Sequence, residues 1–172
     1  PKRLYWPSLV LAIWNTSERI GSLLSARTDD CNLGERYLIL RAETDKSGSD
    51  RYHPLLQSTA AAIASHYRPG RQRVWPWPWH RRQIWVQFKR IVLAAGLQPD
   101  PSMGLFHKIR RTSISYTAAN GGIEMAQAQA GHASATTTRR HYIDPRIAQQ
   151  RTAIDVLPVL KLPHSDPQMR LF

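Results

Sequence analysis

Midway along the chain, Trp75-Pro76-Trp77-Pro78-Trp79 sets a proline at every second residue, which forbids a regular helix and favours an extended or polyproline path. Helices must therefore stop before this run and restart after it. On the N-terminal side, Pro7 at a first helical position and Leu9, Val10, Ile13 and Trp14 at helical spacing predict a helix ending near Asn15. Thr16 or Ser17 is placed to cap a second helix carrying Arg19, Ile20, Leu23 and Leu24. Tyr37 to Leu40 reads as a strand, Lys46-Ser47-Gly48-Ser49 as a turn and Arg51 to Leu55 as a return strand, so Lys46 sits near a hairpin tip. The alanine-rich stretch from Gln57 to Tyr67 reads as a helix broken by Pro69-Gly70.

Beyond the Trp-Pro run, Ile84, Trp85, Phe88, Ile91 and Val92 mark an amphipathic helix whose other face carries Arg81, Arg82, Lys89 and Arg90, with Gly96 ending it. Helical pattern resumes from about Gly104 to Ala119, breaks at Asn120-Gly121-Gly122, and returns from Ile123 to Ala130. Ser134 or Thr136 starts another helix toward Arg140. A last short helix is expected from Pro145 to about Asp155, and Pro158, Pro163 and Pro167 make the tail an extended arm. These elements give a mainly α fold with a small antiparallel β-sheet of two or three strands near residues 29 to 55, an α+β arrangement. The three tryptophans of the run are expected to pack an insertion onto the body, a base-stacking platform being the other use of such rings.

A chain of 172 residues, 42% of them hydrophobic, fits one domain and buries a core without staples. Its single cysteine, Cys31, excludes an internal disulfide framework and any Cys-rich metal or cluster site. No stretch approaches the roughly 18 uninterrupted apolar residues of a membrane span, and no secretory signal opens the chain, so a soluble, cytoplasmic protein is expected.

Charge narrows the function. Twenty-four Lys and Arg against 12 Asp and Glu leave +12, which favours a polyanionic partner, nucleic acid first. Residues 68 to 111 hold ten Lys or Arg against one acid, Asp100, whereas six of the twelve acids fall between Asp29 and Asp50. One side is expected to be electropositive, and a merely solvated basic face is the alternative. The seven histidines are scattered, with no His-x-x-x-His and no paired carboxylates near His107 or His132, which argues against a metal centre. No Gly-x-Ser-x-Gly is present, and the acidic neighbourhood of Cys31 disfavours its thiolate. What remains is cations and a tyrosine. His107 and Arg110, three apart on an expected helix, share a face and can converge on one anion; a half-buried histidine beside a surface arginine has the same spacing.

Context adds weight to that spacing. Leu105-Phe106-His107-Lys108-Ile109-Arg110-Arg111-Thr112 is followed by Ala130-Gly131-His132-Ala133-Ser134, then Thr136-Thr137-Thr138, then Arg139-Arg140-His141-Tyr142-Ile143-Asp144. This ordered series resembles the tyrosine recombinase (phage integrase) family, whose catalytic domain carries His-x-x-Arg, a Leu-Gly-His-like motif, a Thr pair and a nucleophilic Tyr in this order. Upstream, Asn15-Thr16-Ser17-Glu18-Arg19-Ile20-Gly21-Ser22-Leu23-Leu24 resembles the segment holding the family's first catalytic arginine. Thr44-Asp45-Lys46 with Arg51-Tyr52-His53-Pro54-Leu55 resembles the hairpin bearing its catalytic lysine. The resemblance runs from about residue 8 to 145. Ser17 stands where the family usually has Gly, Ser22 where an acid is common, and Tyr142 lies ten residues after His132 where many members have nine.

The resemblance implies a metal- and cofactor-independent DNA breaking-rejoining enzyme. Tyr142 would attack a phosphodiester to form a 3′-phosphotyrosyl link, Arg19, Arg110 and His132 would hold the phosphate, His107 would act as acid/base or phosphate ligand, and Lys46 would protonate the leaving oxygen. It also implies a catalytic domain over residues 1–145, a C-terminal helix and arm over 146–172 that docks on a neighbouring protomer, docking in cis on the same domain being the alternative, double-stranded DNA as partner, and an N-terminal DNA-clamping domain outside this chain. A non-catalytic DNA-binding remnant of the family and a type IB topoisomerase-like enzyme are the alternatives.

Overall fold

The computed structural model describes residues 2–44, 48–68, 70–100, 103–132, 134–144 and 147. Lys46, the expected helix from Pro145 to Asp155 and the arm after it lie outside these residues.

The first helix, α1 (Lys2–Thr16), holds Pro7 inside it, not at its first position. The proline removes one backbone donor in the second turn, a cost offset by Trp6, Leu9, Ala12 and Ile13, which this longer helix drives into the core. The second, α2 (Ile20–Ser25), has Arg19 as its N-cap, with no side-chain cap, so neither Thr16 nor Ser17 caps it as expected. Both hydroxyls are used elsewhere. Thr16 Oγ1 donates back to Ala12 O at 2.7 Å, and Ser17 Oγ bonds Ser113 Oγ at 2.9 Å.

A 3-10 turn at Thr28–Asp30 leads into β1 (Cys31–Asn32), which pairs with β2 (Tyr37–Leu40), which pairs with β3 (Arg51–Pro54). The sheet is antiparallel, with Leu38 opposite both Cys31 and His53, and Leu40 opposite Arg51. Alternation along β3 sends Arg51 and His53 to the same face. Next, α3 (Gln57–His66) packs along α1 in the opposite sense. Its start is tied to Asn15, whose Oδ1 accepts from Leu56 N at 2.7 Å, and its end brings His66 to Tyr5.

The Trp-Pro run belongs to no helix or strand, as the prolines require. Trp75 is fully buried and donates from Nε1 to Ser8 Oγ at 3.0 Å, which makes the run an insertion packed on the body. It leads to α4 (Arg82–Ala94), which buries Ile84 and Phe88 and leaves Arg81, Arg82, Lys89 and Arg90 exposed. Gly96 closes the helix at φ 73°, a conformation that favours glycine. Phe88 stacks between Trp6 and Phe106, at ring distances of 5.6 and 4.4 Å, joining α4 to α1 and to α5 (Leu105–Ala130). Two helices run together in α5 across Gly122, at φ 84°, where the Asn-Gly-Gly break is expected. Finally α6 (Ala135–Tyr142) starts on Ser134, whose hydroxyl accepts from Thr136 N at 3.1 Å. A large core joins α1, α2, the sheet, α3, Trp75, α4 and Phe106, while Ile114, Ala126 and Ala130 form a small second one against which Tyr142 packs. Among the described residues no helix is long and apolar enough to cross a membrane.

Candidate active site

The site forms where the C-terminal end of α1, the first turns and last turn of α5, and α6 meet. Arg110 lies at its centre, 1% exposed. Its Nη1 donates to Ser17 O, and its Nη2 donates to Ala130 O at 2.8 Å and to His132 Nε2 at 3.2 Å. Burial works against its charge, while Tyr142 and Glu18 favour it. A guanidinium carries no acceptor, so His132 Nε2 must accept, and its Nδ1–H then donates to Thr138 Oγ1 at 2.8 Å. The tautomer of His132 is thus set by its two neighbours.

Tyr142, one turn after Thr138 on the same face of α6, places its ring 4.4 Å from that of His132 and 5.3 Å from that of His107. The Arg110 guanidinium lies 5.5 Å from its centroid. The Ser115 hydroxyl donates to Tyr142 O at 2.5 Å and accepts from Asp144 N at 3.0 Å, so α5 holds the end of α6 by its backbone. His107 is exposed at the rim.

The electrostatics of the two histidines are alike. His132 is pushed down to about 4 by desolvation first and then by Arg110, Arg19, Arg51 and His107. His107 is lowered by desolvation and by Arg110, Arg111 and Arg19. The same arginines bear on both histidines. Arg110, His107, His132 and Tyr142 are therefore brought together, Arg19 lies near enough for its charge to lower both histidines, and Lys46 falls outside the described residues.

Sequence reasoning missed the layer beneath. Glu18 is 1% exposed; its Oε1 receives Arg51 and, at 3.0 Å, His53 Nε2, while its Oε2 accepts Arg19 N at 3.2 Å. Arg51 in turn donates to the last carbonyls of α5, reaching Gln129 O at 2.6 Å. One carboxylate thus ties the backbone of Arg19 to the end of the helix that presents His132. Two signals for it exist in the sequence: Glu18 adjoins Arg19, and Arg51 and His53 share a strand face. Gly131 is also explained. It ends α5 at φ 64°, and a Cβ there would run into the Arg51 guanidinium. Ser17, where the resembling family has Gly, is at φ 55°, held by its own N–H to Ile13 O at 2.8 Å and by Ser113. Cys31 is buried, its thiol pushed up to about 11 by desolvation, so it takes no part. Among the described residues no cluster of three or more His, Cys, Asp or Glu is placed to hold a metal.

The chain matches the model of the phage integrase family over residues 2–148. Its fold is similar to that of XerA recombinase, with a TM-score of 0.66 and 21% identity over 80% of this chain and 51% of that one. XerH site-specific recombinase bound to difH substrate in a pre-cleavage complex gives 0.63 and 17%, covering 80% of this chain and 42% of that one. Tn1549 transposon integrase in complex with a circular intermediate DNA gives 0.60 and 16%, covering 80% and 54%. The chain spans about half the length of these structures. No curated protein matches it.

Proposed function

The chain belongs to the phage integrase family, and from that premise we propose that it is the catalytic part of a site-specific recombinase that cuts and rejoins duplex DNA through Tyr142. The observation that carries this reading is the meeting of the Tyr142 ring with Arg110, His132 and His107, the two histidines being lowered by desolvation and then by arginines.

A DNA phosphodiester is the anion these side chains would hold. Arg110 and Arg19 hold its non-bridging oxygens, and they bind more strongly as charge builds on the phosphorane. The Tyr142 oxygen bonds to phosphorus as the bond to the 5′ oxygen breaks. His107 takes the tyrosine proton, and Lys46, from the β2–β3 hairpin, gives one to the departing oxygen. One phosphoester replaces another, so a 5′ hydroxyl from a second strand reverses the step without a nucleotide cofactor. His132 has no proton on Nε2 in the DNA-free state. Desolvation first and the arginine field second hold its pKa down; a bound phosphate opposes that field and favours the protonated ring, which then donates to the same oxygens. The 146–172 segment acts in this reading as an arm docking on a neighbouring protomer, which couples assembly on DNA to placement of Tyr142.

The test is incubation with a pool of nicked suicide duplexes of randomised sequence, which trap the covalent state by letting the cut strand diffuse away. A denaturation-resistant protein–DNA adduct is expected, lost in Tyr142→Phe with DNA binding retained. An adduct that persists in Tyr142→Phe moves the nucleophile elsewhere, and DNA binding with no adduct in either protein makes the chain a non-catalytic DNA-binding member.

A further inference from the structure

Arg51 opens β3, and its largely buried guanidinium faces two ways. On one side Nη1 pairs with the buried Glu18 carboxylate. On the other, Nη2 donates to Gln129 O at 2.6 Å, with Ala128 O and Ala130 O each 3.5 Å from the fork. These carbonyls stand at the negative end of α5, where intrahelical donors run out. Ala130 O has a second claimant: Arg110 Nη2 donates to it at 2.8 Å, and the same nitrogen donates to His132 Nε2 at 3.2 Å. Strand and site thus meet at one peptide oxygen. The turn between them is fitted to this approach. Gly131 stands at φ 64° with the Arg51 guanidinium where a Cβ would be, and the backbone N–H groups of Gly131 and His132 donate to Ala128 O and Gln127 O, both at 3.2 Å.

We infer that Arg51 is a positioning residue of the site: by holding the carbonyls of Ala128 to Ala130 it fixes the Gly131 turn, and with it the placement of His132 against Arg110. The fork is what the task needs. An ammonium in its place keeps the pair with Glu18 but is a point charge that cannot span the row of carbonyls. Ala130 O then leans on Arg110 alone and the turn is free to shift. His132 loses the fixed place in which Nε2 accepts from Arg110 while Nδ1 donates to Thr138 Oγ1. In the reaction proposed above, a displacement of about 1 Å there costs up to about 100-fold in rate. That consequence rests on the proposed cleavage; the placement of His132 in the DNA-free protein does not.

Arg51→Lys tests this, because it retains the charge beside Glu18. In the DNA-free 172-residue chain carrying isotope-labelled histidine, long-range proton–nitrogen spectra at about pH 7.5, where the ring is neutral, read the His132 tautomer. The signal is identified by its loss in His132→Asn. The native chain should show Nδ1–H alone, and Arg51→Lys a mixture of both tautomers. Gly131→Ala, whose methyl displaces the guanidinium while leaving Arg51 in the chain, should give the same mixture. Leu9→Ala, which loosens the core away from the site, should keep the native tautomer. With the nicked duplexes, single-turnover cleavage by Arg51→Lys should fall roughly 10- to 100-fold while DNA affinity stays within about twofold. The native tautomer in Arg51→Lys, or an equal mixture in Leu9→Ala, would overturn the inference. If the native chain forms no adduct, the proposed reaction fails and the tautomer still decides for or against Arg51.

Discussion

The two ends of α1 are buried in different ways. At the first, Trp6 is packed among Trp77, Phe88 and Leu9 with rings edge-on or stacked, and area removed from water does the stabilising. At the second, almost every contact is a hydrogen bond. Asn15 Nδ2 donates to Pro54 O at 3.1 Å, Gln129 Nε2 donates to Asn15 O at 3.1 Å, Ser113 donates to Trp14 O, and Arg110 donates to Ser17 O. Apolar contacts are non-directional and let neighbours readjust, whereas a buried charge network holds only while every member is present. One end of the helix therefore supports the fold and the other sets positions within it.

Matched substitutions probe that contrast. Glu18→Ala removes the partner of two buried basic side chains and is expected to cost about 3–5 kcal/mol of stability and to abolish adduct formation in the molecules that stay folded. Leu9→Ala, at a residue 0% exposed, should cost about 2–5 kcal/mol, with adduct formation per folded molecule unchanged. Denaturant melts paired with the suicide-substrate assay separate the two. Equal catalytic loss in both would erase the distinction.

Arg110→Lys comes next. A lysine keeps the charge but not the fork that reaches Ser17 O, Ala130 O and His132 together, so cleavage should fall about 100- to 1000-fold with DNA affinity reduced far less. Single-turnover cleavage beside an equilibrium binding curve checks it.

The smallest effect is on pH. The folded His132 is depressed from 6.5 to about 4, and His66 and His107 move in the same direction. Below about pH 6.5 the unfolded chain binds protons that the folded chain refuses, so stability is full above that pH and is lost as pH falls toward 4. Thermal melts from pH 7 to 4.5 should show Tm dropping. Duplex DNA should flatten the drop, because a phosphate among the arginines lets His132 charge while folded.

Much of this was legible where the information is local. The break at Gly122, the cap at Ser134 and the one-turn spacing of Thr138 and Tyr142 are written within a few residues. So is the site's core motif, His107 with Arg110. The expected cap at Thr16 or Ser17 failed because Ser17 answers to Ser113, 96 residues away. Pro7 misled because local propensity places it at a helix start, whereas burial of Trp6 across the core decides where α1 begins. The network of Glu18, Arg51 and His53 left only weak traces, since pairing across more than thirty residues has no periodicity to read.

Those same long separations set the order in which the molecule is made. The bonds that close the site join residues 93 to 114 positions apart: Ser17 to Arg110, Ser17 to Ser113, Trp14 to Ser113, Asn15 to Gln129. Such contacts form only after their loop-closure entropy has been met, later than the nearer pairing of α1 with α3. The end of α1 thus closes on Arg110 and the rest of α5 late in folding. On a ribosome emitting about 5–20 residues per second, Tyr142 emerges after Arg19 and Arg110, so a half-made chain holds those cations before the ring that packs beside Arg110.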